Sequence, residues 1–249
     1  MKIAFSGKGG VGKSAIAALL SLAYMEKGYR VLAIDADPSP HLARLLEIRD
    51  EIIPLADMKE LLAERAEKMG PYYTLNPKIE DLPEKFMKTK EQINLMVLGA
   101  IREAGAGCAC PEQTVLRRLM GYLILKTQDV VIVDMEAGVE HFGRGTVVPM
   151  DVILVITKPY RGSIETSKQI LKLAEELKLK KVFIVGNGIR NSQEEELLKK
   201  EFGDKIIAML PEDKDLEKRE IEGKGLWDYR GELFKKVAEL RDRLLELKN

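Results

Sequence analysis

A glycine-rich loop lies near the start of the chain, between a short apolar stretch and a run of alanine and leucine. It reads Gly-Lys-Gly-Gly-Val-Gly-Lys-Ser over residues 7–14, after the apolar residues 3–5 and before residues 15–20. Glycines permit backbone angles that a Cβ forbids, and they let amide N–H groups close on phosphate oxygens. The helix that follows adds the partial positive charge of its N-terminus. The order of strand, loop and helix therefore predicts a phosphate-binding P-loop.

Two residue types in this loop predict a nucleoside triphosphate bound together with Mg²⁺. Lys13 stands where an ammonium group reaches the β- and γ-phosphates, and the Ser14 hydroxyl can ligate the metal. The residues predicted to bind nucleotide here are Gly7, Lys8, Gly9, Gly10, Val11, Gly12, Lys13, Ser14 and Ala15.

Further apolar runs indicate the strands of one sheet, with helical patterns between most of them. The runs lie at residues 30–35, 93–98, 129–134, 152–156 and 181–185, and the helical patterns lie at 13–27, 111–126, 163–178 and 192–202. Strands without alternation, flanked by helices, are typical of a parallel sheet that is covered on both faces. We therefore predict an α/β P-loop NTPase fold with a mostly parallel sheet, as a single domain over residues 1–249. Residues 48–92 are charged and contain scattered prolines, which predicts an irregular, mainly helical excursion.

The charge balance argues against nucleic acid or a membrane as a partner. Forty basic and forty acidic residues cancel, so the sequence provides no excess of positive charge for an anionic surface. Membrane helices need about 18 apolar residues in a row, and no run approaches that length. Leucine and valine at helical spacing over residues 233–247 predict a terminal helix that packs on the core. We expect a cytoplasmic protein without stable membrane association.

Acidic residues follow two of the predicted strands. Asp35 and Asp37 follow the run that starts at residue 30, and Asp134 ends the apolar run 130–133 in the pattern of a Walker B strand. Ligands of such sheets bind beyond the carboxyl ends of the strands. Buried carboxylates there are costly without a cation, and we predict that Asp35 and Asp134 hold Mg²⁺ together with Ser14. A helix-capping or turn role is the alternative for Asp35 and Asp37.

Lys8 is a second lysine in the loop, and it gives the sequence KGGVGKS, the deviant form of the P-loop motif. In this form the loop resembles the MinD/ParA/nitrogenase-iron-protein group of dimerising ATPases. The resemblance implies that ATP is hydrolysed to ADP and phosphate within a homodimer and that Lys8 reaches the partner subunit's nucleotide. It also implies that Asp37 orients the attacking water, which makes Lys8, Lys13 and Asp37 the predicted catalytic residues. A solvated lysine on a loop is the alternative for Lys8.

The same resemblance implies contacts to the adenine base farther along the chain. Asn187 follows the predicted strand 181–185, and Pro211 and Glu212 follow a short apolar run at 206–209. The Asn side chain would meet the base edge, and the loop after Pro211 would add backbone contacts. A plain turn is the alternative at Pro211 and Glu212. Gly138, after the Walker B aspartate, is predicted to give an amide or a hinge near the γ-phosphate.

Cys108 and Cys110 are the two cysteines of the chain, and they lie in a loop before a predicted helix. A disulfide across so short a loop would be strained. Zinc or nickel bound by thiolates usually takes four ligands, so one chain would fill half of a site. In a two-fold dimer, the partner's loop can supply the other two. This predicts one Cys₄ site per dimer, with incidental buried residues or a redox pair as alternatives.

Two stretches around these features carry a closer resemblance. Residues 107–117, which include Gly-Cys-Ala-Cys-Pro-Glu, and residues 134–146 resemble the CooC-type ATPases that mature nickel carbon monoxide dehydrogenase. The resemblance implies a nickel- or zinc-binding maturation ATPase with carbon monoxide dehydrogenase as its client. His141 lies in the second stretch, where client contact and surface hydrogen bonding are both open roles. The wider group leaves two alternatives, a MinD/ParA-type positioning ATPase and a reductase with a 4Fe-4S cluster at the dimer interface.

Overall fold

The computed structural model describes residues 1–66, 68–69, 72–73, 77–100, 111–127, 129–135 and 150–247. Within these residues an eight-stranded sheet has the order β10-β9-β8-β1-β7-β2-β6-β5, and β3 and β4 form a separate antiparallel pair. Every neighbouring pair in the large sheet is parallel except β5 with β6. The strands are β1 (Lys2–Ser6), β2 (Val31–Ala36), β3 (Lys68–Met69), β4 (Tyr72–Tyr73), β5 (Lys88–Lys90), β6 (Ile93–Val97), β7 (Val130–Met135), β8 (Val152–Thr157), β9 (Val182–Ile189) and β10 (Ile206–Pro211).

Helices cover both faces of this sheet. Alternate residues of β1 show this directly, because Ile3 and Phe5 pack into one buried cluster whereas Ala4 packs into the other. The helices are α1 (Lys13–Glu26), α2 (Leu42–Leu45), α3 (Lys59–Arg65), α4 (Leu82–Phe86), α5 (Pro111–Lys126), α6 (Arg161–Glu176), α7 (Ser192–Phe202), α8 (Lys214–Ile221) and α9 (Glu232–Glu246). Residues of α1 and α9 join the first cluster, and residues of α5, α6 and α7 join the second. The predicted α/β fold with a mostly parallel, doubly covered sheet is confirmed.

The terminal helix α9 packs on the core as its spacing predicts. Its apolar side chains are buried, and they are Leu233, Phe234, Val237, Leu240 and Leu244. Among the described helices, none combines the length and the apolar character that a membrane span requires.

The region 48–92 is less helical than its composition suggests. It contains the short helices α3 and α4, but it also contains the β3–β4 pair and the edge strand β5. The strand β5 carries lysines at both ends and only three residues, so its sequence gives no apolar pattern. Pairing with β6 on one side is what makes it a strand, and this tertiary context cannot be read from the segment itself.

The sheet order brings together the ends of three strands that carry predicted site residues. β1 lies between β7 and β8, and β7 lies between β1 and β2. The carboxyl ends of β1, β7 and β2 are therefore neighbours, and they lead into the glycine-rich loop, Asp134 and Asp35. Ligands of open parallel sheets bind at such an edge.

Candidate functional site

At two positions of the glycine-rich loop, a positive φ angle coincides with a close approach that leaves no room for a Cβ. Gly7 and Gly12 have φ angles of 137° and 97°. A Cβ on Gly12 would lie 2.6 Å from the Asn187 amide nitrogen, and one on Gly7 would collide with the carbonyl oxygen of Ile156. Gly12 is also the N-cap of α1. The glycines thus allow the loop to lie close to the ends of β8 and β9.

Lys13 is held inside this loop. It is the first residue of α1, and only 7% of its surface is exposed. Its ammonium nitrogen donates to the carbonyl oxygens of Gly7 and Lys8, both at 3.4 Å. These long hydrogen bonds hold the ammonium group at the N-terminus of α1. A helix N-terminus favours anions, so the ammonium group and the helix end together favour a bound phosphate.

Asp35 organises the loop between β2 and α2. It is fully buried, and one carboxylate oxygen accepts the backbone N–H groups of His41 and Leu42 at 2.9 Å each. The other oxygen accepts the N–H of Asp37 at 3.2 Å. Burial raises the pKa of Asp35 to about 6, although these N–H groups act to lower it. The turn and capping role kept open for Asp35 is therefore present in the structure.

Asp134 is buried without such partners. Neither of its carboxylate oxygens has a hydrogen-bond partner among the described residues. Burial raises its pKa to about 7. The Ser14 hydroxyl lies near enough to lower that pKa but does not reach hydrogen-bonding geometry, and Lys13 lowers it further. A buried carboxylate left unpaired beside a hydroxyl is a costly arrangement that a hard cation would complete.

A cleft of about 920 Å³ opens between the glycine-rich loop and the loops that follow β2, β9 and β10. Most of the sequence-predicted site residues meet there. Those that line it are Gly9, Gly10, Gly12, Lys13, Ser14, Ala15, Asp37, Asn187, Pro211 and Glu212. The Asn187 amide nitrogen donates to the Val11 carbonyl oxygen at 2.7 Å, which ties the end of β9 to the loop. Polar groups from four separate loops thus converge on one concave surface, as expected of a ligand site.

The family follows from a comparison with known protein domains. The model of the CobQ/CobB/MinD/ParA nucleotide binding domain matches residues 2–226. The chain belongs to this family. Residues from the glycine-rich loop to Glu212 all fall within the matched part.

Relatives within and near the family agree with this assignment. An uncharacterized ATP-binding protein of Methanocaldococcus jannaschii is 38% identical over 256 residues, covering 100% of this chain and 99% of that protein. The carbon monoxide dehydrogenase accessory protein CooC of Rhodospirillum rubrum is 40% identical over 194 residues, covering 75% of this chain and 74% of CooC. The structure of MinD from Pyrococcus horikoshii complexed with Mg-ADP superposes with a TM-score of 0.71 at 20% identity, covering 100% of this chain and 97% of that one. At 20% identity, the similarity to this MinD structure shows the fold alone.

Lys8, the second lysine of the glycine-rich loop, does not line the cleft. It is exposed, and its ammonium nitrogen lies 5.7 Å from the centre of the Tyr160 ring. The same nitrogen lies over Gly162, in the first turn of α6. The two lysines of the loop therefore occupy different places, one buried in the loop and one on the surface beside it.

Several predicted site residues lie outside the described residues. They are Cys108, Cys110, Gly138 and His141. Gly7 and Val11, which are also predicted to bind nucleotide, do not line the cleft. Val11 is fully buried, and Gly7 packs against β8.

The structure adds cleft residues that the motifs did not indicate. Lys158 lines the cleft and follows β8, so the rule that ligands bind beyond strand ends could have found it. Arg44 and Glu220 also line it, one on α2 and the other on α8. Their contact joins positions 176 residues apart, and no local pattern in the sequence indicates it.

Proposed function

We propose that this protein is an ATPase that dimerises on nucleotide and uses ATP hydrolysis to carry nickel to carbon monoxide dehydrogenase. ATP with Mg²⁺ would bind in the cleft and be hydrolysed to ADP and phosphate. Nickel, or zinc, would bind at Cys108 and Cys110 of the two subunits. The 40% identity to CooC over 194 residues carries the choice of client, since CooC is named as an accessory protein of that enzyme.

The donor set beside the cleft supports Mg²⁺ as the metal bound with nucleotide. Ser14, Asp35 and Asp134 offer oxygen atoms only, and Mg²⁺ binds through oxygen. The Asp134 carboxylate has no hydrogen-bond partner among the described residues, and this is the observation that favours a cation there. When bound, Mg²⁺ would neutralise charge on the phosphate oxygens.

Each loop residue then has a role that fits its position. Lys13 would bind the β- and γ-phosphates from the N-terminus of α1, and the amides of the glycine-rich loop would hold the phosphate oxygens. Asp37 lines the cleft, and its carboxylate accepts the Ser39 N–H at 2.9 Å, which fixes its direction. We assign Asp37 to orienting the attacking water rather than to taking its proton. Asn187, Pro211 and Glu212 would surround the base.

The position of Lys8 supports a dimer. An exposed lysine outside its own subunit's cleft has no role on its own nucleotide. It would contact a phosphate of the partner subunit's nucleotide across a two-fold axis, where an added cation stabilises the developing negative charge.

The residues on either side of the cysteine segment support coupling between nucleotide and metal. Leu98 and Gly99 donate their N–H groups to the carbonyl oxygen of Asp35, at 2.8 and 3.3 Å. Ala100 accepts a hydrogen bond from the Gln113 side chain at 3.3 Å. Both flanks of residues 101–110 are thereby tied to each other and to the loop that bears Asp37. A change at the nucleotide would reach the cysteines through these contacts, and metal would affect nucleotide affinity by the same factor.

One experiment tests the metal and dimer parts together. Nickel and zinc are titrated into the protein with and without a non-hydrolysable ATP analogue, while the mass of the particle is measured. We expect one metal ion per dimer, with an affinity that depends on nucleotide. The Cys108→Ser/Cys110→Ser double variant should lose the metal and keep nucleotide binding, whereas equal metal binding by that variant would refute the metal site.

Lys8→Ala separates dimerisation from nucleotide binding. This variant should bind ATP with nearly unchanged affinity but lose ATP-dependent dimerisation and hydrolysis. The matched control is Lys2→Ala, which removes a lysine from the start of β1, away from the loop. A Lys8→Ala protein that dimerises and hydrolyses ATP normally would remove the role given to Lys8.

A further inference from the structure

The helix α8 forms one wall of the cleft, and of its two apolar residues only Leu216 packs against the core. It has eight residues, and all of them are at least partly exposed. Leu216, Glu217, Glu220 and Ile221 line the cleft, and Ile221 is 81% exposed. A helix that buries so little apolar surface gains little packing energy. Polar contacts must therefore add to the packing of Leu216 to hold the helix in place.

The start of α8 is fixed to the segment that follows the helix. Asp213 caps it, because one carboxylate oxygen accepts the Leu216 N–H at 3.0 Å and the other accepts the Tyr229 hydroxyl. Arg219 donates to the carbonyl oxygen of Gly225 at 2.9 Å and to Asp228 at 2.7 Å. These contacts stabilise the helix against residues 225–229, which follow it, and none of them is made directly to the opposite wall of the cleft.

The opposite wall is α2, which is firmly anchored. Its first N–H group, that of Leu42, donates to the buried carboxylate of Asp35. Its last residue, Leu45, accepts the N–H of Leu226 at 2.7 Å. Leu42 and Leu45 are buried. The wall formed by α2 is therefore fixed both to the core and to the segment that follows α8.

A single ion pair joins the two walls in the part of the chain that the structure describes. One guanidinium nitrogen of Arg44 lies 2.7 Å from each carboxylate oxygen of Glu220. The Arg44 side chain is 36% exposed and that of Glu220 is 61% exposed, so solvent and salt weaken the contact.

We propose that α8 is a lid over the nucleotide cleft and that Arg44 and Glu220 are the positioning residues that hold it closed. The inference rests on the proposed binding of nucleotide in this cleft. The lid follows directly on the β10 loop with Pro211 and Glu212, so opening it would free the side of the cleft assigned to the base. The pair would therefore control how fast nucleotide leaves, while the glycine-rich loop and Lys13 hold the phosphates.

The expected effect is modest because the pair is exposed. Ion pairs of this kind contribute little, and their loss corresponds to a change of about two- to fivefold in a rate. Glu220→Gln and Arg44→Gln should each speed the release of ADP by that factor. The double variant should be no faster than either single variant, because both remove the same contact. The charge-swapped variant Arg44→Glu/Glu220→Arg should return to near the wild-type rate.

Release is measured by loading the full-length protein with tritiated ADP and chasing with excess unlabelled ADP. Asp215→Asn is the matched control, since it makes the same change from carboxylate to amide on α8 at a residue that does not line the cleft. Thermal unfolding of each variant confirms that the fold is kept. In the wild type, higher salt should speed release more than it does in Glu220→Gln.

The outcomes separate the lid from the proposed function. Faster release in both single variants, no further gain in the double variant and recovery in the swapped variant would support the lid. Unchanged release in the single variants, additive effects, or the same effect from Asp215→Asn would overturn it while leaving nucleotide binding intact. A wild-type protein that binds no nucleotide would overturn the proposed function, and the lid with it.

Discussion

Asp35 and Asp134 are directly paired in the parallel register of β2 and β7, each as the next-to-last residue of its strand. Both side chains are fully buried. Burial raises the pKa of Asp35 to about 6 and that of Asp134 to about 7, and the charge of Asp35 adds to the rise at Asp134. The fold thus places two carboxylates where neither ionises easily without a cation.

The first prediction concerns stability and pH in the absence of metal and nucleotide. An unfolded aspartate ionises near pH 4, so between about pH 4 and pH 7 Asp35 and Asp134 bind more protons in the folded protein than in the unfolded chain. Its free energy of unfolding should therefore fall as the pH rises through this window, by on the order of a few kcal/mol. Urea unfolding in EDTA at a series of pH values measures this change.

Asp134→Asn isolates the contribution of the buried pair. Without the titrating carboxyl group, the decline between pH 4 and 7 should flatten, and the variant should be more stable than the wild type at pH 7.5. The control Asp129→Asn removes a carboxylate that pairs with Arg30 at the other end of the strand, and it should retain the decline. Equal pH profiles for Asp134→Asn and the wild type would contradict this prediction.

The second prediction compares glycines at the two ends of α1. Gly12 and Gly28 have φ angles of 97° and 87°, so alanine is strained at both, by roughly 1–2 kcal/mol. At Gly28 a Cβ meets nothing within 4 Å, whereas at Gly12 it meets the Asn187 amide at 2.6 Å. Gly12→Ala should therefore lower the free energy of unfolding by about 1 kcal/mol more than Gly28→Ala does. Urea unfolding of the two variants without nucleotide provides the comparison.

The collision with Asn187 should also make the two variants differ in nucleotide affinity. Gly12→Ala should also lose nucleotide affinity, because the displaced loop carries the phosphate-binding amides, and Gly28→Ala should not. Similar stability and similar affinity in both variants would show that Asn187 yields to the added methyl group without cost.

The third prediction concerns Lys13. Replacing it by glutamine keeps a side chain that can donate a hydrogen bond but removes the charge. Charge-assisted hydrogen bonds contribute about 1.5–3 kcal/mol, so the affinity for ATP should fall about tenfold or more. Isothermal titration measures the affinity. Lys27→Gln, which breaks a surface ion pair with Asp242, is the control, and an equal loss in that variant would argue against a direct phosphate contact.

Much of the site could be predicted because parallel strands place their carboxyl ends at one edge. Asp37 and Asn187 each come at or just after the end of an apolar run, and both line the cleft, whereas Asp35 lies buried near the end of β2. The position of the Lys8 side chain could not be predicted in the same way, because the loop motif does not distinguish a lysine within the loop from one on the surface beside it. The surface position depends on Tyr160 and the start of α6, which lie far along the chain.

The remaining parts of the cleft depend on contacts that leave no periodic signal. The helix α8 has only two apolar residues, Leu216 and Ile221, so it lacks the apolar stripe from which a helix is predicted. The strand β5 exists through its pairing with β6. The ion pair of Arg44 and Glu220 needs both α2 and α8 in place. Such features become visible only once the tertiary structure is known.

The last prediction concerns Asn187, whose amide nitrogen donates to the Val11 carbonyl oxygen at 2.7 Å. Asn187→Asp has almost the same shape but cannot donate this hydrogen bond, and it places a carboxylate against a carbonyl oxygen. The loop should loosen, and ATP affinity should fall by about five- to thirtyfold, since a lost hydrogen bond with one partner left unpaired costs about 1–2 kcal/mol. Asn187→Ala should lose affinity as well. Asn191→Ala is the control, because Asn191 caps α7 and accepts the Glu194 N–H away from the cleft. It should lower thermal stability and leave ATP affinity unchanged, whereas wild-type affinity in both Asn187 variants would show that the contact between β9 and the loop does not support binding.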